Sequence, residues 1–202
     1  MPFLILGDQR ILFIHIPRTG GTSVESWLRS HGSLRLFTFG IPSAMKITPQ
    51  HLTRNDLVDI FGDDMFTYKF AFVRHPMRRL ESEFRLHALR DQRGFYGGHQ
   101  RFSAWLETNL DAVQRNRFHA DNHFRPQTDF IGSDVEIFRY EDGLLAGVAK
   151  AAAAAGLIAP GALEQHYSTE SFVGEVEWDT ASRARVLEFY RQDFELLGYT
   201  PD

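Results

Sequence analysis

Apolar and polar positions along this chain follow two rhythms. Ile11–Ile16 (ILFIHI) is a short, nearly continuous apolar run rich in β-branched residues, and Tyr68–Val73 (YKFAFV) is a second such run. Both predict strands buried on two faces. Val135–Tyr140 (VEIFRY) predicts a third strand. Elsewhere apolar residues recur at helical spacing. One set is Val24, Trp27 and Leu28; another is Met77, Leu80 and Phe84 behind Pro76; a third is Phe102, Trp105 and Leu106. Val186, Phe189, Tyr190 and Phe194 predict a C-terminal helix closed by Gly198, and Thr48–Phe61 holds a short helix. The alanines at 151–155 continue an apolar stretch from Gly143 and stop at Gly156, as a helix with a glycine cap does. Thr22 and Glu25 have capping-box spacing at the start of the first helix. Strands alternating with helices predict one α/β domain over residues 1–202, with a mainly parallel sheet flanked by helices. Such sheets take ligands beyond the carboxyl ends of their strands.

Composition narrows the chemistry. The 202 residues are 43% hydrophobic, enough for one domain with a sizeable core. With no cysteine, disulfides, thiolate metal sites and cysteine nucleophiles are excluded. A net charge of −4 argues against a general nucleic-acid binder. Of 22 Lys and Arg, 17 precede Asp134, whereas Asp and Glu divide evenly about that point. A local anion site fits this asymmetry, and so does a chance arrangement of solvated charges. No segment reaches the roughly 18 apolar residues of a membrane span. The run before Gly7 is also too short for a secretory signal, so the expectation is a cytoplasmic protein without membrane insertion.

Two segments carry candidate chemistry. Pro17-Arg18-Thr19-Gly20-Gly21-Thr22-Ser23 lies between a predicted strand and a predicted helix. Its glycines permit close backbone approach, the helix N-terminus offers N–H groups, and hydroxyls and a guanidinium surround them: an anion cradle. It lacks the G-x-x-x-x-G-K-[ST] spacing of a Walker loop. Read alone, a glycine turn is as readily structural as functional. The second segment is Arg74-His75-Pro76 with Ser82 eight residues after Arg74. A guanidinium at a strand end suits phosphate through its forked geometry.

Together, FIHIPRTGGTSVESWL and FAFVRHPMRRLESEF resemble the 5′-phosphosulfate loop and the 3′-phosphate segment of the sulfotransferases that use 3′-phosphoadenosine 5′-phosphosulfate (PAPS). The likeness is to their membrane-associated and carbohydrate-modifying branch. FRYEDG and FYRQDFELLGY resemble later landmarks, so the likeness runs from about Ile11 to Tyr199. It implies a P-loop-kinase-like sulfotransferase fold and transfer of a sulfuryl group from PAPS to an acceptor hydroxyl. It also implies that Thr19, Gly20, Gly21, Thr22 and Ser23 hold the 5′-phosphosulfate, and that Arg74 and Ser82 hold the 3′-phosphate. Arg18 stands where the family usually has lysine. It keeps the charge that steadies the leaving phosphate but cannot readily lose a proton.

The acceptor needs a general base, and nine histidines compete. His51 matches a histidine the family often places between the two phosphate motifs and is the preferred base; a place on a surface helix explains it equally. His15, inside a strand, reads as a core histidine, and His75 as a residue that shapes the Arg74 loop. His119 and His123, at i and i+4, lack a third ligand in reach and are read as non-metallic, so no metal is expected. His123-Phe124-Arg125-Pro126-Gln127 resembles an H-x-x-P-Q element of the same branch, with no role assignable from spacing. That branch implies a saccharide or other small-molecule acceptor. Arg78 and Arg125 are candidate contacts for an anionic one, with Arg79 and Arg85 nearby; pairing with Glu81, Glu83 and Asp91 accounts for those arginines equally. The competing readings are an ATP-dependent small-molecule kinase and a catalytically silent nucleotide- or partner-binding module.

Overall fold

Among the described residues four strands form one sheet in the order β1 (Phe3–Leu6), β2 (Gln9–Ile14), β3 (Tyr68–Val73) and β4 (Glu136–Arg139). The first pair is antiparallel; β2, β3 and β4 run parallel. The chain is thus α/β with a mainly parallel sheet, as the hydrophobic pattern predicts. The computed structural model describes residues 1–38, 40–91, 101–166 and 176–201. Among these lie the helices α1 (Gly21–Arg29), α2 (Arg54–Phe61), α3 (Pro76–Asp91), α4 (Phe102–Arg115), α5 (Leu144–Ala155), α6 (Thr180–Phe189) and α7 (Arg191–Leu197). No helix among the described residues is long and apolar enough to cross a membrane.

The chain divides into two compact units, Met1–Arg74 with Gln127–His166 and His75–Pro126 with Tyr167–Asp202. The first contains the sheet. Phe13, Phe70, Phe72 and Phe138 point from three strands into one core with Val24, Trp27 and Leu28 of α1 and Val148, Ala151, Ala152 and Ala155 of α5. Alternate residues Leu12 and Ile14 line the opposite side of β2 with Leu57 and Val58 of α2, which is why Ile11–Ile14 reads as apolar at every position, while the exposed Gln9 and Arg10 begin the strand. The alanines of α5 have a packing reason: a Cβ on Gly147 would lie 2.4 Å from the Phe72 ring, so only a small-residue face comes this close to the sheet. Gly156 caps α5 in the left-handed conformation.

Two sequence readings need correction here. The hairpin strand β1 is not among the predicted strands, because four residues carry too little periodicity to announce it. The Thr22–Glu25 capping box does not form: Gly20 is the N-cap of α1 without a side-chain cap, and Glu25 turns inward to His15. The box instead opens α2, between Thr53 and Asp56.

In the second unit α4 buries Phe102, Trp105, Leu106 and Leu110 on one face. The predicted C-terminal helix is two helices, α6 and α7, broken at Tyr190 (φ −102°). Tyr190 is fully buried and its hydroxyl donates to the Phe124 carbonyl, a tertiary demand that helical periodicity does not register. Gly198 closes α7 in the left-handed conformation, as expected.

Candidate active site

The loop between β2 and α1 is held from several directions. Arg18 has φ 68°, a left-handed backbone that costs a non-glycine residue roughly 1–2 kcal/mol and needs support around it. Gly20 follows with φ 89°, and Gly21 opens α1. Thr19 is fully buried and its hydroxyl donates to the Ile16 carbonyl at 2.8 Å, so its proton is engaged within the loop. Ser23 donates its hydroxyl to the Glu164 carbonyl at 2.6 Å. Thr22 is partly exposed at the helix start. The positive end of the α1 dipole and the left-handed glycine turn lie together at the carboxyl end of β2, the arrangement that receives an anion.

Arg74 follows the last residue of β3. Because Val73 pairs with Arg139, Arg74 and Tyr140 leave adjacent parallel strands side by side. The Arg74 guanidinium lies 4.4 Å from the centre of the Tyr140 ring and donates to the Arg18 carbonyl at 3.3 Å. The same ring backs the glycine loop, since a Cβ on Gly20 would come within 3.3 Å of it and within 2.8 Å of Leu144. Arg74, the first residue of the second phosphate motif, thus meets the glycine loop within one unit, whereas His75 to Ser82 belong to the other. Gln127 holds the Arg74 backbone on both sides: its Oε1 accepts the Arg74 N–H at 2.9 Å and its Nε2 donates to the Arg74 carbonyl at 2.7 Å.

Behind the loop lies a buried polar chain. His15 Nδ1 is 2.6 Å from Glu25 Oε1, to which Gln50 also donates at 3.1 Å. Burial by itself would raise the Glu25 carboxyl, but the His15 charge, the hydrogen bonds from His15 and Gln50 and the chain's N-terminal ammonium together hold it below the ordinary glutamate value of 4.5. The His51 ring meets His15 edge-on at 5.1 Å, and His51 Nδ1 is 3.3 Å from the Thr48 hydroxyl. His51 ends a 3-10 turn, Pro49–His51, and is half-buried. His15 is therefore a satisfied core histidine and also the neighbour that links His51 to the glycine loop.

The second unit accounts for the remaining candidates. Ser82 is buried within α3. Arg78 and Arg85 both pair with Glu81, at 3.1 and 3.2 Å, and Trp178 donates to the same carboxylate. The buried Glu81 carboxylate thus engages both arginines; the Asp91 side chain falls outside the described residues. Arg79 is 1% exposed and donates to the carbonyls of His123 and Arg125, so its charge is spent on backbone. His75 lies 2.9 Å from the Thr200 carbonyl. His119 and His123 do not act as an i, i+4 pair: Ala120 and Asp121 between them have positive φ. His119 binds Asn109 and His123 binds Glu83.

Sequence reading misses Tyr140 and Gln127 as parts of the site. Both sit in landmark segments, FRYEDG and H-x-x-P-Q, but only the β3–β4 pairing brings Tyr140 to Arg74, and only the side-chain hydrogen bonds of Gln127, at the start of a 3-10 turn, join it to the Arg74 backbone.

A parallel strand that leads through a left-handed glycine turn into a helix, beside an arginine at the end of the next strand, is an arrangement found at ligand sites of α/β proteins. The whole described site lies within the match of this chain to a family model, the sulfotransferase family, over residues 1–200, and the chain belongs to that family. It is therefore a sulfuryl-transfer protein. No curated protein matches it. No solved structure matches it either.

Proposed function

We propose that this sulfotransferase takes its sulfuryl group from PAPS and passes it in line to an acceptor hydroxyl. One observation carries the donor assignment: the Arg74 guanidinium donates to the backbone of Arg18, inside the glycine loop. A donor with one anionic group at the 5′ position and another at the 3′ position fits such neighbouring anion sites. The loop backbone of residues 19–23 and the α1 dipole would receive the 5′-phosphosulfate, with Thr19 serving through backbone and shape. Arg74 would take the 3′-phosphate, and the family pattern adds the Ser82 hydroxyl.

His51 is the base in this reading. It accepts the acceptor's proton as that oxygen bonds to sulfur and the bond from sulfur to the 5′-phosphate oxygen breaks. Arg18 and the helix N-terminus offset the charge gathering on the departing phosphate. These cationic groups supply what a metal ion does in many phosphoryl transfers. A carbohydrate acceptor is supported by the H-x-x-P-Q likeness; Arg78 supports an anionic one less, since Glu81 engages it.

Titrating the protein separately with 3′-phosphoadenosine 5′-phosphate (PAP), AMP and ATP tests the donor. PAP binding well above AMP and ATP is expected. Preference for ATP would favour a kinase instead.

A further inference from the structure

Resting on the PAPS reading, we propose that Gln127 and Tyr140 are positioning residues that together aim Arg74 at the 3′-phosphate, and that this is the task of the glutamine in the H-x-x-P-Q element. Arg74 lies one residue beyond β3, where strand pairing has ended and nothing regular holds its backbone. Gln127, fully buried, replaces the missing strand with a primary amide. It accepts from the Arg74 N–H and donates to the Arg74 carbonyl, the same exchange a paired strand residue makes. That fixes where the side chain begins. Tyr140 fixes where it ends, because its ring lies under the guanidinium at 4.4 Å. The ring also stands close behind the Gly20 turn, where a Cβ on Gly20 would lie 3.3 Å from it, so the same side chain borders both the arginine and the loop.

An arginine has four flexible side-chain torsions, and ordering it on binding costs affinity unless it is already held. With backbone clamped and tip stacked, Arg74 meets a phosphate with little further ordering. Neither residue need touch the ligand. The effect of Gln127 should therefore fall on the 3′-phosphate alone, and that of Tyr140 chiefly there.

The test is calorimetric titration of PAP and AMP into wild type, Gln127→Met, Gln127→Glu, Tyr140→Leu and Tyr140→Phe, with thermal midpoints as a check on folding. Gln127→Met keeps the volume but loses both hydrogen bonds; Gln127→Glu keeps the acceptor and loses the donor. Gln127→Met should weaken PAP on the order of ten- to a hundredfold while AMP is unchanged, and Tyr140→Leu should weaken PAP by a similar factor and AMP by much less, since its ring also backs the Gly20 turn. Gln127→Glu should fall between Gln127→Met and wild type, and Tyr140→Phe should match wild type because the ring remains. If Gln127→Met does not fold, Gln127→Glu and the two Tyr140 variants decide. A wild type that favours PAP, with variants that keep the full preference or lose PAP and AMP equally, overturns this inference alone. A wild type that does not distinguish PAP from AMP overturns the donor reading and this inference with it.

Discussion

His15 Nε2 lies 2.1 Å from where a Cβ on Gly21 would stand. The first residue of α1 is thus glycine because a buried imidazole occupies the space. That imidazole is anchored from its other nitrogen by Glu25 on the same helix. Gly21→Ala must push aside a ring that has nowhere to go, an overpacking cost of about 1–3 kcal/mol. Urea unfolding should register that loss. On a His15→Ala background the same substitution should cost much less, since the obstruction is gone. Equal costs on both backgrounds would show that backbone demands, and not His15, require glycine there.

The Glu25 carboxyl has a definite pH signature. Its folded pKa lies below the ordinary value of 4.5, so its contribution to stability is present above that value. The contribution is lost as pH falls through the lower, folded pKa. Glu25→Gln keeps the shape but removes this titration. Wild type should lose stability on acidification below about pH 5 more steeply than the variant, and the two curves should converge at the acid end. Parallel curves would show that the His15–Glu25 pair carries no charge-dependent stability.

His51→Ala should lower turnover on the order of 10²–10⁴-fold, the usual share of a general base, and leave PAP affinity near wild type. A variant that keeps most of its activity would remove His51 from the mechanism and make His15, its edge-on neighbour, the next candidate.

Arg74→Ala should cost PAP affinity about 2–5 kcal/mol, the loss typical of removing one partner of a buried charged contact, while AMP affinity hardly changes. A similar loss for both ligands would mark Arg74 as a residue of folding, through Tyr140 and the Arg18 carbonyl.

How legible the site is depends on where each interaction lives along the chain. Tyr68–Val73 is a strand at both predicted ends, and Gly156 and Gly198 cap the helices they were expected to cap. Those signals are local, carried by hydrophobic runs and by glycine's tolerance of positive φ. Glu25 misleads because a carboxylate three residues after a threonine looks like a cap, whereas its partner, His15, is reached only when α1 packs against β2. The break at Tyr190 escapes notice for the same reason: its hydroxyl answers to Phe124, 66 residues away. Gln127 is the sharpest case. The element that contains it is visible as a motif, but its meaning lies in both main-chain groups of a residue 53 positions earlier, and no periodicity encodes that.

The most direct test of sulfuryl transfer from PAPS is a label-transfer assay with purified protein. PAPS carrying radioactive sulfate and ATP carrying a radioactive terminal phosphate are offered in parallel to a panel of neutral and anionic saccharides, phenols and lipid alcohols. Labelled sulfate should appear on at least one saccharide hydroxyl, with no transfer from ATP. Transfer should survive Arg18→Lys, which keeps the charge, and fall sharply with Arg18→Ala. Phosphate transfer from ATP, with no sulfate transferred from PAPS to any hydroxyl, would contradict it.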